Sequence, residues 1–216
     1  MGGRLNRKMW EDRFGYNENI PKEIQDIFMW LCQDLLSLQR MWDFYVELFS
    51  YEESLALYTD YARTSFSIIE EALRTAMVMA ISRLNDPSTQ FTNQNLSFQK
   101  LVEICQEVPE INNLYEEFDK ACKSFEAHRN KRFGHRDLKT TLEYSENLLP
   151  GIGKVDVEEI LRLAKQFINS IAQHYTRTEY GFISPVIGGA ESLKFFFKMG
   201  IDSYKNNLRK ISSNNY

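Results

Sequence analysis

The sequence is poor in glycine, proline and cysteine. Only 10 glycines and 5 prolines occur among its 216 residues, which argues against turn-rich sandwiches and barrels and favours helices. The cysteines are odd in number and widely spaced, so they do not form a disulfide framework and are typical of buried thiols in a reducing compartment. They are Cys32, Cys105 and Cys122.

Long apolar runs and an excess of one charge are also missing. No run of about 18 apolar residues could span a bilayer, and residues 2–13 are too polar for a signal peptide. Asn6 stands where an N-myristoylation motif requires serine or threonine. The net charge of −4 means that any nucleic-acid binding must depend on a local patch. We therefore expect a soluble, cytoplasmic protein that does not bind membranes.

Apolar side chains recur with the three-to-four-residue spacing of helices along almost the whole chain. Hydrophobic residues make up 43% of the sequence, which is enough for a sizeable core. The pattern predicts an all-α fold, a single helical bundle of about six helices. We divide the chain into an N-terminal segment (1–20), a helical domain (21–210) and a frayed tail (211–216).

Capping and helix-breaking residues predict several helix boundaries. A single long helix is expected over residues 52–84, because Pro87 prevents its continuation. Ser97 is the expected N-cap of a short helix, and Asp156 is the expected cap of a helix that begins at Val157. Each of these signals is local, since it depends on residues within about one turn of the helix end.

Positive charge is concentrated in the stretch Lys120–Lys139. This stretch contains seven basic and two acidic residues, a local charge of +5 in a chain whose net charge is −4. Two of the three histidines, His128 and His135, lie within it. A phosphate-handling site requires fixed positive charge and a group that titrates near neutral pH. The alternative is a solvated helix end whose cations interact with the last carbonyl groups.

Other short motifs do not carry the chemistry that they suggest. His135–Lys139 is similar to a protein kinase catalytic loop, but Leu142 replaces the metal-binding asparagine. Gly151–Lys154 lacks the preceding strand and the following serine or threonine of a phosphate-binding loop. No cysteines are paired at the spacing of zinc ligands. We therefore expect neither a metal nor a cofactor.

The centre of the basic stretch resembles a known motif. The run Arg129-Asn130-Lys131-Arg132-Phe133-Gly134-His135 is similar to the signature of the HEPN superfamily, an arginine followed after four to six residues by a histidine, with a polar residue after the arginine. Upstream, Ile81–Pro87 and then Asn95–Ser97 resemble the helix end and loop that precede the motif in the AbiU-type abortive-infection branch. The resemblance extends over most of the chain, from Ile24 to Lys205.

This resemblance implies an α-helical bundle that forms a two-fold homodimer, with the two motifs facing each other across the axis. Many such domains are metal-independent endoribonucleases that act as toxins or antiviral effectors, and others bind nucleotides or RNA without cutting. On an ideal helix Arg129 and His135 would point about 120° apart. Either Gly134 breaks the helix and lets His135 turn, or the partner subunit completes the site.

The resemblance also implies roles for individual residues. His135 would be a general acid or base, Arg129 would bind the phosphate and its transition-state charge, and Asn130 would orient a phosphate oxygen or the imidazole. Binding of the RNA backbone or phosphate is expected of Lys131, Arg132, Arg136 and His128. A structural ion pair or cap is expected of Arg83 and Asp86.

Two of these residues have structural alternatives, and one position departs from the family pattern. Arg129 could pair with an acidic residue of a neighbouring helix, and Asn130 could be a helix C-cap. Asp137 stands where the branch neutralised by a nucleotidyltransferase antitoxin often has tyrosine. Regulation by modification of that tyrosine is therefore not expected.

Two functions follow from the resemblance. The first is a dimeric, metal-independent endoribonuclease that cleaves RNA as a toxin or an antiphage abortive-infection effector, with an antitoxin or defence-system protein as partner. The second is a non-catalytic helical module that binds RNA, a nucleotide or a protein.

Overall fold

Helices dominate the structure, a computed structural model that describes residues 19–133, 149, 151–183 and 189–213. The α-helices in these ranges are α1 (Lys22–Phe49), α2 (Glu52–Tyr61), α3 (Arg63–Leu84), α4 (Phe98–Ile104), α5 (Ile111–His128), α6 (Lys154–Thr176) and α7 (Ala190–Ser213). A π-helix, Arg129–Phe133, follows α5. The described strands form one antiparallel hairpin, β1 (Thr89–Gln90) and β2 (Asn93–Gln94). The predicted all-α fold is confirmed.

The chain forms two compact units. The first comprises the described residues of Met1–Gln39 and Ala76–Ile183, and the second those of Arg40–Thr75 and Ser184–Tyr216. The domain boundaries drawn from the sequence, 1–20, 21–210 and 211–216, stay predictions. None of the helices in the described ranges is both long and apolar enough to cross a membrane.

The core of the first unit is formed by helices that are apolar on one face. On α5 the buried residues recur at helical spacing: Ile111, Phe118, Cys122 and Phe125. Helix α5 packs against α6, and Phe98 of α4 stacks on Phe167 of α6 with ring centroids 4.6 Å apart. All three cysteines are buried and free, which confirms the prediction of buried thiols.

The second unit contains a helix break that the sequence did not predict. Residues 52–84 form two helices, because Ala62 has the non-helical angles φ −151° and ψ 37°. The rings of Tyr58 and Phe66 are stacked with centroids 3.6 Å apart. In an unbroken helix these residues would lie about 12 Å apart along the axis, so their packing requires the break. Both rings belong to a cluster with Leu48 and Ala190.

One of the two predicted caps is confirmed in position, and the other lies inside its helix. Ser97 occupies the N-cap position of α4 as predicted, although its hydroxyl makes no capping hydrogen bond in the described structure. Helix α6 begins at Lys154, three positions before the predicted start. Asp156 therefore lies inside the first turn, where its carboxylate accepts a hydrogen bond of 2.6 Å from the backbone N–H of Gly153.

Candidate functional site

The motif begins on a π-helical turn. Helix α5 ends at His128, and Arg129–Phe133 continue the chain as a π-helix. Such turns are rare and occur frequently at functional sites, because the wider turn changes the direction in which side chains point. The spacing of residues in the sequence does not indicate this π-helix.

Arg129 forms an ion pair with Asp86. Its guanidinium Nη1 lies 2.5 Å from Asp86 Oδ1, and the two side chains are 29% and 15% exposed. Asp86 lies two positions beyond the last residue of α3, and its backbone N–H donates to the carbonyl of Arg83. The pairing of Arg129 with an acidic residue outside its own helix is thus observed. The contact is through one of the five N–H donors of the guanidinium.

Asn85 joins the end of α3 to α5 beside this ion pair. Its amide Nδ2 donates to Asp119 Oδ1 and to Glu126 Oε1, each at 2.8 Å. The residue is 5% exposed, and Lys123 Nζ lies 2.8 Å from the same Asp119 oxygen and 3.8 Å from Glu126 Oε2. Asn85 therefore holds the segment that carries Asp86 against the helix that leads to Arg129.

The surroundings of Asn85 shift the pKa values of three neighbouring groups away from neutrality. Burial acts to raise the pKa of Asp119, but hydrogen bonds from Lys123 and Asn85 outweigh it, and the pKa is lowered overall. The hydrogen bond to Asp119 raises the pKa of Lys123. Tyr115 lies in the same region, where burial and the charge of Asp119 raise its pKa to about 12. These three groups are therefore unsuited to proton transfer near neutrality.

Comparison with known proteins identifies the family. A family model for AbiU2 HEPN domains matches residues 21–191, which is most of the chain. The chain belongs to the AbiU2 family of HEPN domains. No curated protein matches the chain, and no solved structure does either.

Within this HEPN domain the described motif residues lie in different environments. His128 is half-buried at the end of α5, whereas Asn130 and Lys131 are exposed on the π-helix. Arg129 occupies the C-cap position of α5. The alternative prediction, in which Asn130 is only a helix C-cap, is therefore wrong. The backbone of Arg132 belongs to the π-helix.

Of the remaining predicted site residues, Asp86 and Arg83 lie in the part of the chain that the structure describes, and the others do not. Asp86 pairs with Arg129 rather than with Arg83. Arg83 is exposed. Its positive charge acts to lower the pKa of Asp34, but burial outweighs this effect and the pKa is raised. Two predicted site residues, His135 and Arg136, lie outside the described residues, as does Asp137.

Sequence reasoning missed Asn85 as a member of the site. The residue lies inside the segment Ile81–Pro87 that resembles the AbiU-type branch, but the sequence does not indicate its partners. Asp119 and Glu126 lie 34 and 41 positions away along the chain. In the described ranges, groups of three His, Cys, Asp or Glu side chains arranged to hold a metal do not occur.

Proposed function

We propose that this HEPN domain is a metal-independent endoribonuclease that acts as a toxin or antiphage abortive-infection effector. The observation that supports it most directly is Arg129, held in a defined orientation by Asp86 on a π-helical turn while 29% of its side chain stays exposed. A partly exposed, oriented guanidinium is suited to bidentate contact with a phosphate.

The proposed reaction uses the nucleophile that RNA supplies. The ribose 2′-oxygen attacks the adjacent phosphorus, and the bond from phosphorus to the 5′-oxygen of the next nucleotide breaks. One His135 imidazole accepts the proton of the 2′-hydroxyl, and the His135 of a second copy donates a proton to the leaving 5′-oxygen. The products are a 2′,3′-cyclic phosphate and a 5′-hydroxyl. DNA lacks the 2′-hydroxyl and is not cleaved.

Arg129 supplies the electrostatic part of this mechanism. Its guanidinium binds the scissile phosphate and stabilises the additional negative charge of the pentacoordinate state. Asn130 is exposed beside it and orients a phosphate oxygen or the imidazole. Lys131, Arg132 and Arg136, with His128, bind the RNA backbone around the reacting phosphate.

The site is proposed to be completed by a two-fold homodimer. An isologous interface brings two copies of the same motif together, so that each site has two imidazoles. An antitoxin or another defence-system protein would then control activity by covering the basic stretch Lys120–Lys139.

The alternative is a non-catalytic module that binds RNA, a nucleotide or a protein. The ion pair of Arg129 with Asp86 is the observation that favours it, because a phosphate must approach an arginine that already has a carboxylate partner. In that case the basic residues bind the ligand and His135 has no chemical role.

The test is cleavage of a random-sequence single-stranded RNA pool in excess EDTA. Wild type should produce 2′,3′-cyclic phosphate ends, and His135→Ala should not, while it keeps its RNA affinity. His174→Ala is the matched control, because His174 is exposed in the last turn of α6 and outside the motif. Binding of the pool without cleavage by wild type would support the alternative.

A further inference from the structure

Phe91 presents an exposed aromatic ring at the tip of the β1–β2 hairpin. It is 94% exposed, and its backbone has a positive φ of 56°. Phe91 and Thr92 form the turn between the paired residues Gln90 and Asn93. The left-handed region is disfavoured for a residue with a bulky side chain, and glycine or asparagine would occupy it more readily. The folding of the hairpin therefore does not account for a phenylalanine at this position.

The hairpin is anchored at its base. The backbone N–H of Asn95 donates to the carbonyl of Ser88 at 2.8 Å, and the Asn95 amide donates to the carbonyl of Pro87 at 2.8 Å. The backbone N–H of Ser88 donates to Gln99 of α4 at 2.7 Å, and the Ser88 hydroxyl donates to Glu103. The hairpin that carries the ring is thus held by hydrogen bonds to α4, a helix of the first unit.

This base is close to the arginine of the motif. Asp86, which pairs with Arg129, lies five residues before Phe91. Five residues span at most about 18 Å even when fully extended. The Cα atoms of Asp86 and Phe91 are therefore at most about 18 Å apart, so that one segment of single-stranded RNA could contact both Arg129 and the ring.

The surroundings of the ring match a nucleobase better than a protein surface. Residues 88–98 contain no charged side chain, so no carboxylate there repels a phosphate backbone. Three exposed residues with amide side chains flank the ring: Gln90, Asn93 and Gln94. Amide groups can form hydrogen bonds with base edges. Protein interfaces instead depend on clusters of apolar anchors, whereas one aromatic ring is sufficient to stack one base.

We propose that Phe91 stacks on an unpaired base of the RNA segment whose phosphate is bound at Arg129. This inference rests on the proposed function, and it restricts the substrate to RNA that is single-stranded near the cleavage site. In paired RNA the bases are stacked on one another and are not accessible to the ring.

The test is RNA affinity, measured by fluorescence anisotropy in the full-length His135→Ala protein so that the probe is not consumed. The probes are a random-sequence single-stranded RNA pool and a blunt RNA duplex. Phe91→Asn should weaken binding of the single-stranded pool by about 5- to 150-fold, which is the measured range for loss of one stacked base. Phe91→Trp should bind the single-stranded pool as tightly as the protein with Phe91. Neither substitution should change binding of the duplex.

Phe91→Asn also separates binding from folding, because asparagine tolerates a positive φ and the thermal midpoint should stay equal or rise. Phe196→Ala is the matched control, since Phe196 is an exposed phenylalanine of the second unit. Equal affinity of Phe91→Asn and wild type for the single-stranded pool would overturn the proposal and leave the ring to a protein partner. A Phe91-dependent affinity without cleavage by wild type would instead overturn the nuclease and keep the stacking site.

Discussion

The guanidinium of Arg129 and the carboxylate of Asp86 are in contact at 2.5 Å although they are 43 residues apart in the chain. One residue belongs to the π-helix that follows α5, and the other follows the end of α3. Arg129 is therefore oriented by a segment from which it is separated by two α-helices, α4 and α5. In the proposed nuclease we expect Asp86 to be a positioning residue, which would act through Arg129.

Replacement of Asp86 by asparagine should lower stability and catalysis while it preserves binding. Loss of the partly exposed ion pair should cost about 1 kcal/mol in the free energy of unfolding, less at high salt. RNA affinity should stay equal or rise, because a negative charge beside the phosphate is removed. Cleavage should fall by roughly tenfold in kcat without an increase in KM, because Arg129 is less well oriented.

Urea unfolding and steady-state cleavage measure these effects. Glu159→Gln is the matched control, because it removes a carboxylate from an exposed ion pair with Arg162. Its effect on stability should be below about 0.5 kcal/mol. An Asp86→Asn protein whose KM rises and whose kcat is unchanged would contradict the positioning role.

Replacement of Asn85 by aspartate should destabilise the first unit strongly. The new carboxylate would face Asp119 and Glu126 in place of the amide that donates to both. We expect a loss of about 3 kcal/mol at neutral pH, with partial recovery as the pH is lowered and carboxyl groups become protonated. Asn113→Asp, on the exposed side of α5, should change stability little. Urea unfolding at neutral and acidic pH measures both, and similar losses in the two variants would rule out the bridging role of Asn85.

The stability of the wild-type protein should depend on the charges of Asp119 and Lys123. Because the folded pKa of Asp119 is lowered, its contribution is present above the unfolded pKa of about 3.9 and is lost as the pH falls through the folded value. Because the folded pKa of Lys123 is raised, its contribution is present below the unfolded pKa of about 10.4 and is lost as the pH rises through the folded value.

Thermal unfolding of wild type and Asp119→Asn from acidic to neutral pH measures the contribution of the Asp119 carboxylate to stability. The difference between the two proteins should be greatest at neutral pH and should disappear in strong acid. A difference that stays constant with pH would show that the Asp119 carboxylate is not specifically stabilised.

Removal of the Phe66 ring should destabilise the second unit. Phe66 is buried and stacks on Tyr58 across the break at Ala62, so Phe66→Ala should cost about 3–5 kcal/mol. Phe195→Ala on α7 removes a 60% exposed ring and should change stability by less than about 0.5 kcal/mol. Urea unfolding of the two variants tests the difference, and equal losses would argue against the stacked pair as the source of stability.

Local sequence signals predicted much of the helical structure. The buried residues of α6, including Ile160, Phe167 and Ile171, follow the apolar spacing that predicted an all-α fold, because side chains three and four positions apart lie on one side of a helix. The break at Ala62 escaped this reasoning. The same apolar spacing is compatible with a continuous helix, and the stacking of Tyr58 on Phe66 that accompanies the break is a contact between two helices.

The candidate site was predicted only in part. Arg129 and Asn130 follow from the order of residues in the motif, which one continuous stretch of chain contains. The partners of Arg129 and Asn85 depend instead on how the segment after α3 lies against α5 and the π-helix, because the carboxylates involved are 34 to 43 residues away along the chain. Residue types and helix spacing therefore determine which groups are available, whereas long-range packing selects which of them meet. No local rule encodes that selection, since each contact forms only when both helices are in place.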